Sequence, residues 1–187
     1  MIPRAVVASK NPDKIAEIAR LLDGVVGELV TGLSWEDVIE DADTLAGNAL
    51  LKARAVFEAT NLPSIGDDTG LFVAALDDRP GVHTARYAGP EATYDDNVTK
   101  MLAELEGVED RRAEFRTAAA FVDGSKEVVV EAALVGAITG QRRGVGGFGY
   151  DPIFEVDGQT LSEMGINQKN RLSHRAKAIA LLRDALA

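Results

Sequence analysis

The sequence predicts an α/β fold: a mixed, twisted central sheet flanked by helices. Two observations lead there. Strand-like and helix-like segments alternate through the first half of the chain, and a strand–turn–strand signal in the second half demands antiparallel pairing, so the sheet is not all parallel.

The elements follow in order. Val6-Val7-Ala8 is a short apolar run, and beyond Ser9-Lys10-Asn11-Pro12 the residues Ile15, Ile18, Leu21 and Leu22 recur at helical spacing. This is strand, loop and helix, with Asn11 as N-cap and Pro12 at the first helical position, where its missing N–H costs nothing. Gly24 and Gly27 end the helix, and residues 28 to 31 read as a second strand. Residues 34 to 43 form an acidic connection, after which Leu45, Ala49, Ala53, Val56 and Phe57 predict a long amphipathic helix over 44–59. Residues 63 to 73 read as a short strand running into a turn and out into another apolar run, with Asp67-Asp68 at the end of the first strand. Residues 77 to 81 have turn chemistry, and Val98, Met101, Leu102 and Leu105 mark a helix from Tyr94. Asp123-Gly124-Ser125 joins strands expected over 114–122 and 127–138. A glycine-rich loop over 140–149, a short strand over 152–156 and a final helix over 173–186, with Ile179, Leu182 and Leu186 on one face, complete the chain.

Composition narrows the function. The 187 residues hold 46% hydrophobic residues, and 20 Lys+Arg against 30 Asp+Glu give a net charge of -10. A chain this long buries most of the surface its unfolded form exposes, so a single domain over residues 1–187, or two lobes sharing one core, is expected. With no cysteine, disulfides, thiolate metal sites and a cysteine nucleophile are excluded. The acidic balance argues against nucleic-acid binding, which draws on counterion release by a basic surface. No apolar run approaches the roughly 20 residues that span a bilayer, and residues 1 to 7 lack the layout of a signal peptide, so the expectation is a cytoplasmic protein with no membrane partner. A polyanionic ligand would therefore be held by a few local cations and a metal.

Four segments have the residue types for such chemistry. Ser9-Lys10-Asn11-Pro12-Asp13-Lys14 surrounds a helix N-terminus, whose unpaired N–H groups and partial positive charge favour phosphate oxygens; a capped helix with solvated lysines is the alternative. Asp67-Asp68 follows an apolar strand, unlike Asp77-Asp78 in a turn or Asp95-Asp96 in a first helical turn, which have inexpensive structural explanations. Adjacent carboxylates raise each other's pKa unless a cation is shared, which suits them to hold a hard divalent ion or to accept a proton from water. Glu40, in the acidic connection, is a candidate third oxygen ligand. Residues 144 to 149 contain a literal G-x-G-x-x-G, but Asp151-Pro152 follows where a dinucleotide fold needs a helix, so a nicotinamide enzyme fails on context. What remains is a loop that exposes Phe148 and Tyr150 for stacking on a base, or one that tucks both rings into the core. Finally, His174 and Arg175 follow Ser173 in a first helical turn, where cations oppose the helix dipole unless a ligand needs their donors. His83 lacks such a setting and reads as structural.

Taken together, these segments resemble the inosine triphosphate pyrophosphatase, or Ham1-like, family. The resemblance runs in order through residues 8–14, 48–54, 67–71, 80–82, 85–87, 147–152 and 173–175, and extends from about Val6 to Leu182. It implies an elongated two-lobed α/β fold with substrate in a central cleft. It also implies a homodimer and Mg2+-dependent hydrolysis of inosine and xanthosine triphosphates and their deoxy forms to monophosphate and pyrophosphate. By resemblance Ser9, Lys10, Asn11, Lys14 and Lys52 would bind the phosphate chain, and Asp68 would accept the proton. Asp67, Asp68 and Glu40 would serve the metal, and Thr69 would line the site. Phe148 would stack on the purine with Gly149, Tyr150 and Asp151 completing that wall, while Lys169, His174 and Arg175 would read the base. The family pattern Glu-x-Gly-x-Thr-Phe-x-Glu-Asn-Ala reads here Glu40-Asp41-Ala42-Asp43-Thr44-Leu45-Ala46-Gly47-Asn48-Ala49, which leaves Asp41 and Asp43 as alternative ligands. That departure also motivates the competing reading, a nucleotide-binding regulatory module without catalysis.

Overall fold

The local signals at residues 9 to 12 are realised in the computed structural model, which describes residues 2–186. Strand β1 (Ile2–Val7) leads into α1 (Pro12–Leu21), whose N-cap Asn11 accepts hydrogen bonds from the Asp13 and Lys14 amides. Strand β2 (Val26–Leu29) starts two residues before the expected position. Helix α2 (Leu45–Thr60) is capped by the Thr44 side chain, which accepts from the Gly47 amide. Strand β3 (Ser64–Val73) is one continuous element of 10 residues, where a strand, turn and second run were expected. The carboxylates at Asp67 and Asp68 do not break it because buried cations meet them there, as described below.

Strand β4 (Pro80–Gly81) returns on β3, and α3 (Tyr94–Glu104) opens with a reciprocal capping box between Thr93 and Asp96. The expected hairpin is β5 (Arg112–Val122) and β6 (Glu127–Ile138). Strands β7 (Phe154–Val156) and β8 (Gln159–Thr160) turn about Asp157 and Gly158, both at positive φ. Helices α4 (Ile166–Leu172) and α5 (His174–Leu186) close the chain, and α4 and β8 had no counterpart among the expectations.

Strand order is β2-β1-β3-β5-β6-β7-β8, with β4 paired to β3. Strand β1 runs parallel to β2 and β3, whereas β3–β4, β6–β7 and β7–β8 are antiparallel, giving the mixed sheet the sequence predicted. Among the described residues no helix is long and apolar enough to cross a membrane.

The chain divides into two compact units. Among the described residues, unit 1 takes 2–69, 117–132 and 174–186, and unit 2 takes 70–116 and 133–173. In unit 1, Ala5 and Val7 of β1, Ile18 of α1, Ile65 of β3, Phe121 of β5 and Ile179 of α5 pack into a buried cluster. In unit 2, Leu71 of β3, Met101 of α3, Phe115 of β5, Ile138 of β6 and Phe154 of β7 do the same. One glycine positions the chemistry of unit 1: at Gly66 a β-carbon would overlap the Ala49 carbonyl oxygen, so α2 lies directly on β3. Asn48 and Lys52, one turn apart on α2, are thereby brought to the carboxylates that follow Gly66.

Candidate active site

Unit 1 holds an ionic centre around two adjacent strand carboxylates. Asp67 and Asp68 are adjacent on β3, and each has its own ion-pair partners. Asp67 Oδ2 lies 3.3 Å from Lys14 Nζ and 3.1 Å from Arg175 Nε, so a residue of α1 and a residue of α5 converge on it. Asp68 Oδ1 lies 3.1 Å from Lys52 Nζ, which also pairs with Glu40 Oε2 at 2.7 Å. Asn48 Nδ2 donates to Asp68 Oδ2 at 3.2 Å, and its own Oδ1 accepts from the Ala42 amide at 3.0 Å, tying the acidic connection to α2.

Burial sets the electrostatics. Asp67 and Asp68 are 1% and 6% exposed, and unpaired charges so placed would be costly. For Asp67, burial opposes ionisation, but Lys14, Arg175 and Lys52 outweigh it and hold the carboxyl well below the usual range. Asp68 goes the other way: burial raises its pKa, and Lys52 and Lys14 only partly offset that, with Glu40 adding to the rise. Lys14 is lowered by burial, which the attraction of Asp67 does not overcome. Burial also works against Lys52, yet Asp68, Asp67 and Glu40 together raise it. Two neighbouring carboxylates thus differ in proton affinity, a division of labour typical of sites that need one permanent anion and one proton acceptor.

A hydrogen-bond chain leads away from Asp67. Arg175 is 2% exposed and donates to Glu17 Oε2 at 2.5 Å and, through Nη2, to Thr69 Oγ1 at 3.1 Å. Thr69 Oγ1 lies 2.8 Å from Thr117 Oγ1, which lies 2.6 Å from His174 Nδ1. The Arg175 donors therefore serve a buried carboxylate network, which is the structural reason a cation tolerates the first turn of α5.

Of the sequence-predicted residues, Lys14, Glu40, Lys52, Asp67, Asp68, Thr69, His174 and Arg175 belong to this one network. Asp41 and Asp43 are exposed, so among the three acids Glu40 is the one paired with Lys52. Ser9 accepts from the Asn11 amide at 3.2 Å at the start of α1. Lys10 points elsewhere: its ammonium pairs with Asp37 at 2.5 Å on an exposed surface.

The remaining candidates are in unit 2. Asp151 Oδ2 accepts from the Phe148 amide at 2.9 Å and from Lys169 Nζ at 2.7 Å, with Asp151 and Lys169 both buried. At Gly147, with φ 75°, any side chain would collide with that carboxylate. Lys169 Nζ sits 5.0 Å from the centroid of the Phe148 ring, and the Tyr94 ring is tilted by 39° at 5.8 Å. Gly149 takes a positive φ of 63° between Phe148 and Tyr150. Tyr150 corrects one expectation. Its ring is 4% exposed within the apolar cluster of unit 2 and its hydroxyl donates to the Thr84 carbonyl at 3.0 Å, so it is a packing residue and not an exposed stacking face.

Sequence reasoning missed Glu17, Asn48 and Thr117 as members of the ionic centre. Each carried a faint signal: Glu17 is one turn from Lys14, Asn48 one turn from Lys52, and Thr117 is a lone hydroxyl between Phe115 and Ala119 on an inward strand face.

Known proteins resemble this chain along almost its whole length. The Ham1 family model matches residues 5–185. A dITP/XTP pyrophosphatase of Porphyromonas gingivalis is 48% identical over 98% of this chain and 97% of its own length. One of Geobacter sulfurreducens is 45% identical over 98% and 96%. Among solved structures, a Ham1 protein from Coxiella burnetii superposes with a TM-score of 0.87 at 36% identity, covering 99% of this chain and 98% of its own. The Ham1 protein of Staphylococcus aureus gives 0.85 at 35%, covering 98% and 97%.

Proposed function

The chain belongs to the Ham1 family, and on that footing we propose that it hydrolyses deaminated purine nucleoside triphosphates, namely inosine, deoxyinosine and xanthosine triphosphates, to the monophosphate and pyrophosphate. The observation that carries the reading is the buried Asp67-Asp68 pair of β3, met by Lys14, Lys52 and Arg175. Two adjacent carboxylates are buried side by side among three cations drawn from separate helices, and one of the two, Asp68, has its proton affinity raised.

In the proposed reaction a water attacks the α-phosphorus and pyrophosphate leaves. Asp68 is suited to take the water proton because burial lifts its pKa toward the working range of a general base. Asn48 holds one of its oxygens and Lys52 the other, fixing the orientation of the carboxylate. Lys14, with Ser9, Asn11 and the N-terminus of α1, is placed to neutralise phosphate oxygens. Lys52 would do the same from α2, and Lys10 would join by release from its surface partner Asp37. Phosphoryl transfer of this kind depends on positioning and charge, so no covalent nucleophile is required.

A divalent ion fits the donor set. Asp67 Oδ1 is buried with no hydrogen-bond partner, an oxygen left open on a carboxylate that is held ionised. Among the described residues no three acidic, histidine or cysteine side chains form a ready-made cage, and Mg2+ commonly uses one or two carboxylates plus substrate phosphates. Glu40, Asp68 and the open oxygen of Asp67 would hold it. When bound, such an ion supplies charge neutralisation at the phosphate tail.

For the base, His174 of unit 1 would offer a donor suited to a 6-oxo purine, and Arg175 would join by release of a donor now held by Asp67, Glu17 or Thr69; an adenine 6-amino group would leave a donor unpaired, a mismatch that discriminates by about 10⁴ or more. Within unit 2, Phe148 offers a planar ring beside Lys169, a cation anchored on Asp151, and Gly149 and Tyr150 shape that loop. A homodimer in the cytoplasm completes the proposal.

The test is pyrophosphate release from all common and deaminated nucleoside triphosphates, with and without Mg2+. Turnover confined to the 6-oxo deaminated members is the expected result; tight binding with no turnover would overturn the enzyme and leave a binding module.

A further inference from the structure

One fully buried hydroxyl touches the group proposed to read the base. Thr117 has no exposed surface, and its Oγ1 contacts His174 Nδ1 at 2.6 Å and Thr69 Oγ1 at 2.8 Å. We infer that Thr117 is a specificity-determining positioning residue, which holds His174 as the tautomer protonated on Nε2 and so sets the preference for a 6-oxo over a 6-amino purine. The inference rests on the function proposed above and deepens it.

The direction of the hydrogen bonds follows from the one member that cannot reverse. A guanidinium only donates, and Arg175 is anchored by Asp67 and Glu17, so Thr69 Oγ1 is an acceptor toward it. The single proton of Thr69 then goes to Thr117 Oγ1. The single proton of Thr117 goes to His174 Nδ1. Each hydroxyl accepts one bond and donates one, an arrangement in which successive bonds strengthen each other. In the reverse orientation, with Nδ1–H donating to Thr117 and Thr117 to Thr69, Thr69 Oγ1 accepts twice and its own proton has no acceptor within the chain.

The tautomer decides what the ring offers. With Nδ1 accepting from Thr117, a neutral His174 has its N–H on Nε2. That donor matches a carbonyl oxygen and leaves an amino group mispaired. With the proton on Nδ1, Nε2 would accept and the preference would turn toward the 6-amino ring. Thr117 thus acts on the base through His174 without touching it.

Two measurements test this. The chain has only His83 and His174, so ¹⁵N-labelled protein carrying His83→Gln shows a single imidazole in nitrogen-detected NMR. An unprotonated Nδ1 with a protonated Nε2 is expected at neutral pH; a proton on Nδ1, in the other neutral tautomer or in the imidazolium, overturns the inference. In steady-state pyrophosphate release, Thr117→Val removes the hydroxyl at nearly constant shape. It is expected to raise KM for inosine triphosphate more than it lowers kcat, and to narrow the inosine-over-adenosine preference by about tenfold, the order of one lost hydrogen bond. Thr117→Ser restores both. An equal loss on the two triphosphates, or an unchanged preference in folded Thr117→Val protein, contradicts the role. Absence of turnover in the wild type would instead refute the proposed function, and the nitrogen spectrum would still decide the tautomer.

Discussion

Asp67-Asp68 and Asp95-Asp96 are the same dipeptide in opposite circumstances. The first lies inside β3, 1% and 6% exposed, and engages two lysines, an arginine and an asparagine drawn from α1, α2 and α5. The second lies in the first turn of α3, where the Asp95 side chain is 80% exposed and pairs with Arg142, and Asp96 closes a capping box with Thr93. A helix N-terminus and water accommodate acids at little cost. A strand interior does so only if the fold supplies cations, and supplying them builds a buried ionic centre. The difference teaches that the functional signal lies in the cost of the position, which the letters of the motif do not carry.

Substitutions can break or sharpen that contrast. Asp68→Asn is expected to lower kcat for inosine triphosphate by about 10²–10⁴-fold with nucleotide Kd retained, whereas Asp95→Asn alters stability and rate by no more than about 0.5 kcal/mol equivalent; pyrophosphate release and titration calorimetry read both. Lys52→Met leaves Asp68 and Glu40 without their shared cation and should cost about 3–5 kcal/mol in chemical denaturation. Arg142→Met, which breaks the exposed pair with Asp95, should cost no more than about 1 kcal/mol. The smallest effect is on pH dependence. Because the folded carboxyl of Asp67 is held below its unfolded value, its contribution to stability is present above the ordinary carboxylate range and is lost as pH falls through and below it. The acid limb of the stability curve should therefore be shallower in Asp67→Asn than in the wild type, and an unchanged limb would show that the buried pairing contributes nothing.

Much of this arrangement was legible in the residues. The cap of α1 was readable because Asn11 and Pro12 act within one turn, and α2 because its apolar period is local. The hairpin of β5 and β6 announced itself through Asp123-Gly124. The Asp157-Gly158 turn of β7 and β8 carried the same kind of signal, with both residues at positive φ, and went unread. Helix α4 was silent, since its seven residues lack an apolar period and its N-cap Gly165 provides no side-chain bond. The continuity of β3 was hidden for a different reason. Its two acids look like the end of a strand until Lys14, Lys52 and Arg175, which are distant in sequence, are placed beside them. Likewise the burial of Tyr150 depends on the Thr84 carbonyl, a partner 66 positions away. Local chemistry is written in short windows; the partners of a buried charge are set by topology.

The account's central claim is that a water, and not a carboxylate of the protein, attacks the α-phosphorus. A single turnover of inosine triphosphate with excess enzyme in ¹⁸O-water reads this directly. The account predicts one ¹⁸O in the inosine monophosphate on that first turnover and none in the pyrophosphate. An unlabelled monophosphate, whose new oxygen came from a carboxylate of the protein, or label in the pyrophosphate, would contradict it.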